Sequence, residues 1–322
     1  INTNQYQFTN QSTIKYGTNT YKWFFGDGDS LAGTNASHHY TTDADYTVTL
    51  KATSNNGCID STKSNIILYP KPQADFAVND TDQCLNTNSF VFTGLSTVKS
   101  GNLRYIWTFG GGFTSTQKDT TIVYIGQANY NVRLIARSDF DCYDTTTAIA
   151  YVYPVPVPDF SVNDTDQCLQ ENNFTFTNQS AINGGTMTYG WTFGSEGTST
   201  TTSPGFVFTG DITHNIKLKA TSDKLCTDSI TKQVIVYPSP VMAFTINDTN
   251  QCVNGNLYNY TNQTAIKYGT LTYNWTLGDG FTSTDTDTSI VYNNYGVYTP
   301  RLIATSDKGC PDTLAKNIRV YA

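Results

Sequence analysis

Charge is scarce in this chain of 322 residues: only 14% are charged, and 19 Lys and Arg face 26 Asp and Glu. A net charge of −7 with no clustered basic run argues against nucleic acid and anionic membrane as partners, since both demand concentrated positive charge. No apolar run approaches the ~20 residues needed to cross a bilayer, so no membrane insertion of this segment is expected. A basic n-region with an apolar core is also missing, and with it a signal peptide. The chain opens at Ile1 rather than Met, in what proves to be the middle of a domain, so the expectation is an interior window of a longer exported protein. Apolar spacing suited to a helix of three turns is found nowhere. What is plentiful is Tyr (22) and Phe (17), with much Thr, Asn, Ser and Gly, a composition that suits pleated, half-buried strands.

The few tryptophans reveal the organisation. Trp23, Trp107, Trp191 and Trp275 are spaced by 84 residues, and two cysteine sets keep the same spacing. One set is Cys58, Cys142, Cys226 and Cys310; the other is Cys84, Cys168 and Cys252, whose first member would fall one residue before Ile1. In-phase tyrosines (Tyr21, Tyr105, Tyr189, Tyr273) and leucines (Leu50, Leu134, Leu218, Leu302) leave no doubt about the internal repeat. Paired prolines, as in Tyr69-Pro70-Lys71-Pro72, stiffen the linkers and mark the boundaries. The repeats therefore run 1–70, 71–154, 155–238 and 239–322. The first lacks the block of about fourteen residues that opens the others, 71–84 in the second. An upstream repeat supplying that block is favoured over a strand donated by another subunit.

Within the second repeat, period-two alternation predicts strands over 75–80, 89–95, 104–109, 120–124, 130–136 and 145–153, with turns at Gly110-Gly111-Gly112 and over 139–144. Short alternating strands separated by Gly and Asn turns predict an antiparallel sandwich. The expected fold class is all-β, a tandem array of four immunoglobulin-like β-sandwich domains.

Trp23-Phe24-Phe25-Gly26-Asp27-Gly28 and Trp275-Thr276-Leu277-Gly278-Asp279-Gly280 resemble the Trp-x-Phe-Gly-Asp-Gly signature of PKD (polycystic kidney disease) domains. The Tyr-x-Val-x-Leu strand that follows is present as Tyr46-Thr47-Val48-Thr49-Leu50 and Tyr130-Asn131-Val132-Arg133-Leu134. Departures are Gly110-Gly111-Gly112 in the second repeat, Gly194-Ser195-Glu196-Gly197 in the third and Pro300 in place of the strand valine in the fourth. The cysteine pair and the Ser-Asp-x-x-Cys-x-Asp turn are similar to PKD-like arrays in large surface proteins of Bacteroidetes-type bacteria. That resemblance implies export by a type IX route and a role in adhesion or gliding, at the bacterial cell surface.

Candidate sites are few. His38, His39 and His214 do not recur between repeats, and no nucleophile has a base at fixed spacing, so no enzyme is expected. The tryptophans read as core rather than as sugar platforms, because Trp107 shares a face with Tyr105 and Phe109. Cysteines of an exported chain are usually oxidised. In a sandwich, Cys84 and Cys142 lie near opposite poles, about 25 Å apart or more, whereas a disulfide needs Cα atoms within roughly 7 Å. Bridges across the junctions, Cys84–Cys226 and Cys168–Cys310, are therefore favoured, with Cys58, Cys142 and Cys252 pairing outside the window. One bridge inside each repeat (Cys84–Cys142, Cys168–Cys226, Cys252–Cys310) stays open as the alternative. Asp80, Asp82, Asp164, Asp166, Asp223 and Asp228 collect at the same poles and are candidate Ca2+ ligands, although Asx turns explain them more simply. No other cofactor is implied.

The sequence thus points to the structural stalk or fibre of an extracellular adhesin. A carbohydrate- or protein-binding array attached to a secreted enzyme is the alternative. Expected partners are neighbouring repeats of the same chain, identical chains in a fibre, and surface glycans or proteins. Ser61, Thr145, Ser229 and Thr313 each follow the in-phase Asp, in tripeptides that resemble the O-glycosylation signal of the same bacterial group. Mass spectrometry of protein from its native host should find glycan at these four positions; unmodified peptides at all four would contradict the expectation.

Overall fold

A computed structural model describes residues 4–322. All its regular elements are β-strands, and four separate apolar cores are built from in-phase residues. The chain is a tandem array of immunoglobulin-like β-sandwiches.

The second repeat shows the plan. One sheet is antiparallel, with Phe90–Gly94 between Phe76–Val78 and Asp119–Ile122. The other places Thr114–Ser115, Leu103–Thr108, Ala128–Ser138, Tyr143–Tyr153 and Asp82–Cys84 side by side in that order. The last pairing is parallel, with Tyr153 opposite Cys84. Two of these strands escaped the alternation pattern. Asp82–Cys84 and Thr114–Ser115 are too short and polar to show a period, and Asp82–Cys84 exists because a neighbour offers it an edge.

Alternation does locate the core. Trp107 faces Leu134 in register and is fully buried with Phe90, Phe92 and Phe109, and its indole N–H donates to the Gln117 carbonyl at 2.8 Å. Trp23, Trp191 and Trp275 make the same bond ten residues on, to Gly33, Thr201 and Asp285. A Trp held on both its apolar face and its polar tip is a core residue. The turn after this strand needs glycine at its first position. Gly26 has φ +86°, and a Cβ there would lie 2.9 Å from the Thr47 carbonyl oxygen. Gly110, Gly194 and Gly278 also have positive φ. The Asp of the signature has no such constraint, which explains why it drifts.

The repeats differ where their sequences do. Pro300 has no N–H to give a ladder. In the fourth repeat, accordingly, the strand corresponding to Ala128–Ser138 is broken into Gly296–Tyr298 and Arg301–Ser306, and its partner into Pro311–Ala315 and Ile318–Tyr321. In the third repeat His214 replaces the tyrosine whose hydroxyl donates to the carbonyl four residues earlier (Tyr46 to Thr42, Tyr130 to Gly126, Tyr298 to Asn294). The buried imidazole keeps the bond through Nε2, 2.9 Å from the Gly210 carbonyl.

A buried asparagine joins the two sheets and left no apolar signal. The Asn172 amide donates to the Leu169 and Phe208 carbonyls and accepts the Phe208 N–H. Asn88 and Asn256 do the same in their repeats. Asn172→Ala strands one buried carbonyl and one buried N–H of Phe208, and should cost the third repeat about 1–3 kcal/mol. Amide hydrogen exchange in Phe174–Asn178 and Phe208 should quicken accordingly; unchanged protection would contradict the role.

Candidate functional site: the repeat junctions

Two compact units divide the chain, Ile1–Tyr153 and Pro154–Ala322, each holding one junction between repeats. In Pro154–Ala322, Cys168 of the third repeat and Cys310 of the fourth form a disulfide with Cα atoms 5.4 Å apart and a sequence separation of 142. The Gln170 N–H donates to Ser239 Oγ at 3.0 Å, and its side-chain amide donates to Asp312 at 3.2 Å. Lys308 Nζ lies 5.8 Å from the centre of the Tyr237 ring. Lys267 pairs with Asp211 at 2.6 Å, and the Tyr268 hydroxyl donates to the Asp211 carbonyl. The Asp211 hydrogen bond raises the Lys267 ammonium above its ordinary pKa.

The junction in Ile1–Tyr153 repeats part of this arrangement. Lys99 and Asp43, two periods before Lys267 and Asp211, pair at 2.8 Å. That bond holds the Asp43 carboxyl below its ordinary pKa. Tyr69, in phase with Tyr237, stacks on Phe140 at 3.8 Å, and Cys142 approaches the Tyr69 carbonyl at 3.9 Å. Sequence reading missed these Lys–Asp latches. Their signal was available as Lys15, Lys99 and Lys267 in phase, but isolated surface charges carry no structural meaning until a partner is seen.

Cys84 and Cys226 are each part of a disulfide, and within residues 4–322 Cys58, Cys142 and Cys252 are unbridged. Bridges inside single repeats are therefore ruled out. Cys84–Cys142 and Cys252–Cys310 would each need a thiol that is free, and Cys168–Cys226 would need Cys168, which is bonded to Cys310. The reason is the parallel pairing. Cys84 lies beside Tyr153, while Cys142 precedes Tyr143 at the other end of the same strand, about 36 Å away by strand rise. Cys168 and Cys252 lie beside Tyr237 and Tyr321 in the same way.

Of the candidate calcium ligands, Asp80, Asp82, Asp164 and Asp228 use their carboxylates in hydrogen bonds within the protein. Asp80 accepts the Asp82 N–H at 3.0 Å, and Asp164 accepts the Asp166 N–H at 3.3 Å. Asp82 also accepts the Tyr153 hydroxyl. Asp228 accepts the Ser229 N–H, and the Asp223 N–H donates to the Thr186 carbonyl. Among the described residues, ligand atoms of three or more His, Cys, Asp or Glu converge only at Asp27, Asp29 and His38, none of them among those candidates. Ser61, Thr145, Ser229 and Thr313 are all exposed.

Asp144 ties the linker to its own repeat. One oxygen accepts the Ala74 N–H at 3.0 Å and the other accepts Lys71 Nζ at 2.7 Å. These bonds, the Ala74 N–H foremost, hold the carboxyl below its ordinary pKa. The folded group is the stronger acid, so its stabilisation is present above about pH 4 and disappears as pH falls below that. Asp144→Asn should lower the stability of the second repeat at pH 7 and leave it little changed near pH 2; an equal loss at both would contradict the assignment. In the isolated 322-residue chain, maleimide should label Cys58, Cys142 and Cys252, and non-reducing peptide mapping should recover the Cys168 and Cys310 peptides joined. Recovery of Cys168 joined to Cys226 would overturn the junction geometry.

The PKD domain family model matches residues 2–67, 69–152 and 238–320, more than half of the chain. No curated protein matches it significantly. Among solved structures, the PKD1 domain of Vibrio cholerae metalloprotease PrtV is 29% identical, with 26% of this chain and 99% of that one covered and a TM-score of 0.24. The PKD1 domain of Vibrio anguillarum Epp is 28% identical over 26% of this chain and 95% of that one, also with a TM-score of 0.24. A tetra-tandem repeat from the extending region of a large adhesion protein is 14% identical over 94% of this chain and 91% of that one, with a TM-score of 0.32. The family match falls on the first, second and fourth repeats, whose Trp cores and glycine turns the third repeat shares: this chain belongs to the PKD domain family.

Proposed function

We propose that the chain is a non-enzymatic mechanical spacer, the stalk or fibre region of an extracellular adhesin at a bacterial cell surface. The carrying observation is the disulfide that joins the third repeat to the fourth, Cys168–Cys310. In a repeat array each unit contacts only its neighbours, so resistance to bending and pulling depends on the junctions. A bond between repeats adds a covalent restraint where stacking alone is weakest. Disulfides persist in oxidising compartments, which supports an extracellular site. The histidines support a structural reading. His38 is bonded to Asp27 and stacked on Phe25, and His214 is buried in its own repeat. The surface setting rests on the likeness of the cysteine turn to that of bacterial surface arrays. Neighbouring repeats, and identical chains in a fibre, are the partners this reading implies.

Pulling the 322-residue protein from its ends tests the role. The Cys168–Cys310 bridge shields the 142-residue span between its cysteines from load. Unfolding of the oxidised protein should therefore release at least ~50 nm less chain than unfolding of the reduced protein. Equal extension in both states would contradict a load-bearing junction.

A further inference from the structure

One face of the second repeat departs from the other three repeats in a coordinated way. Arg104 and Arg137 stand directly opposite each other on neighbouring strands. The equivalent pairs are Thr20 with Thr53, Thr188 with Thr221 and Thr272 with Thr305. In each of those, the first threonine hydroxyl donates to the backbone carbonyl of the second. Lys118 completes the pattern, since its counterparts are Thr34, Thr202 and Thr286. Three positions that are threonine in every other repeat are thus all cationic in this one. Three of the chain's five arginines (Arg104, Arg133, Arg137, Arg301, Arg319) also fall in this repeat.

Like charges directly opposite each other in a sheet are destabilising. Asp141 relieves part of this, with Arg137 Nε 3.2 Å from its carboxylate, but both groups are exposed. Arg104, Lys118 and Arg137 line one groove with Leu103, Tyr105, Ile106 and Thr116. That groove follows an open strand edge. Thr114–Ser115 covers Leu103–Thr108 only at Trp107 and Thr108, and among the described residues no strand pairs with 103–106 on that side. An open edge offers backbone donors and acceptors to an incoming extended chain, and three cations beside it select that chain for negative charge.

We propose that the Leu103–Ile106 edge of the second repeat binds an acidic peptide segment, which adds as an extended strand while Arg104, Lys118 and Arg137 hold its carboxylates. The partner is a protein segment alternating acidic and small side chains. Charge complementarity favours it over a second copy of this face, which is itself cationic. The proposal does not depend on the spacer reading, because a load-bearing array can carry one specialised repeat.

The test is fluorescence anisotropy of the full 322-residue protein with a labelled octapeptide of alternating Asp and Thr, (Asp-Thr)4, at low salt. The reference is the Arg104→Thr, Lys118→Thr, Arg137→Thr triple variant. It carries the residues that the other repeats fold with, and an unchanged circular dichroism spectrum with a Tm no lower than that of the wild type verifies its fold. The octapeptide should bind the wild-type protein and bind the variant at least tenfold more weakly. An (Asp-Pro)4 peptide, equally charged but lacking the N–H groups for strand pairing at every second residue, should bind the wild-type protein at least tenfold more weakly than (Asp-Thr)4. Equal affinity of the variant, or no binding to the wild-type protein, would overturn the site. Equal affinity of (Asp-Pro)4 would overturn strand addition, and tighter binding of an oligoglucuronate would overturn the peptide as ligand.

Discussion

The structure turns on a three-residue parallel pairing. In the second, third and fourth repeats an Asp-Gln-Cys or Asn-Gln-Cys segment lies along the end of the last strand, with its Cys opposite a Tyr. The other Cys of the repeat sits in the turn before that strand begins. One strand length therefore separates the two thiols of each repeat, and they cannot meet. Each Cys is left at a pole, and at the junction of the third and fourth repeats Cys168 meets Cys310 of the neighbouring repeat. Register within a repeat thus decides covalent connection between repeats.

The local chemistry supports that pairing at every step. Asp80, Asp164 and Asp248 cap the turn into the short strand through Asx bonds. Gln83, Gln167 and Gln251 accept the backbone N–H six residues later. The buried Asn of the second, third and fourth repeats then fixes the following turn against the opposite sheet. A segment read on composition as an acidic loop is a hydrogen-bonded clasp, which places the cysteine to within a disulfide's reach.

Much of this was legible in the sequence because repetition amplifies weak signals. Trp107, Phe109 and Leu134 announced the core through alternation, and four in-phase tryptophans gave the period. The two-pole argument for the cysteines needed only strand length. The short strands at Asp82–Cys84 and Thr114–Ser115 were not legible, since three polar residues have no period. The Lys–Asp latches and the Arg104–Arg137 pairing also stayed hidden, because cross-strand partners depend on register. The signal for the cationic groove was the loss of threonine at three positions of one repeat, which becomes meaningful only once the sheet brings those positions together.

Covalent coupling of neighbouring repeats can be measured by cutting the chain between them. A specific protease site placed in the linker Tyr237-Pro238-Ser239-Pro240 allows the third and fourth repeats to be severed in the folded, oxidised protein. With Cys168 bonded to Cys310, the 1–237 and 241–322 fragments should migrate together without reductant and separate once reduced. Separation without reductant would show that each repeat closes its own bridge, and would contradict the account.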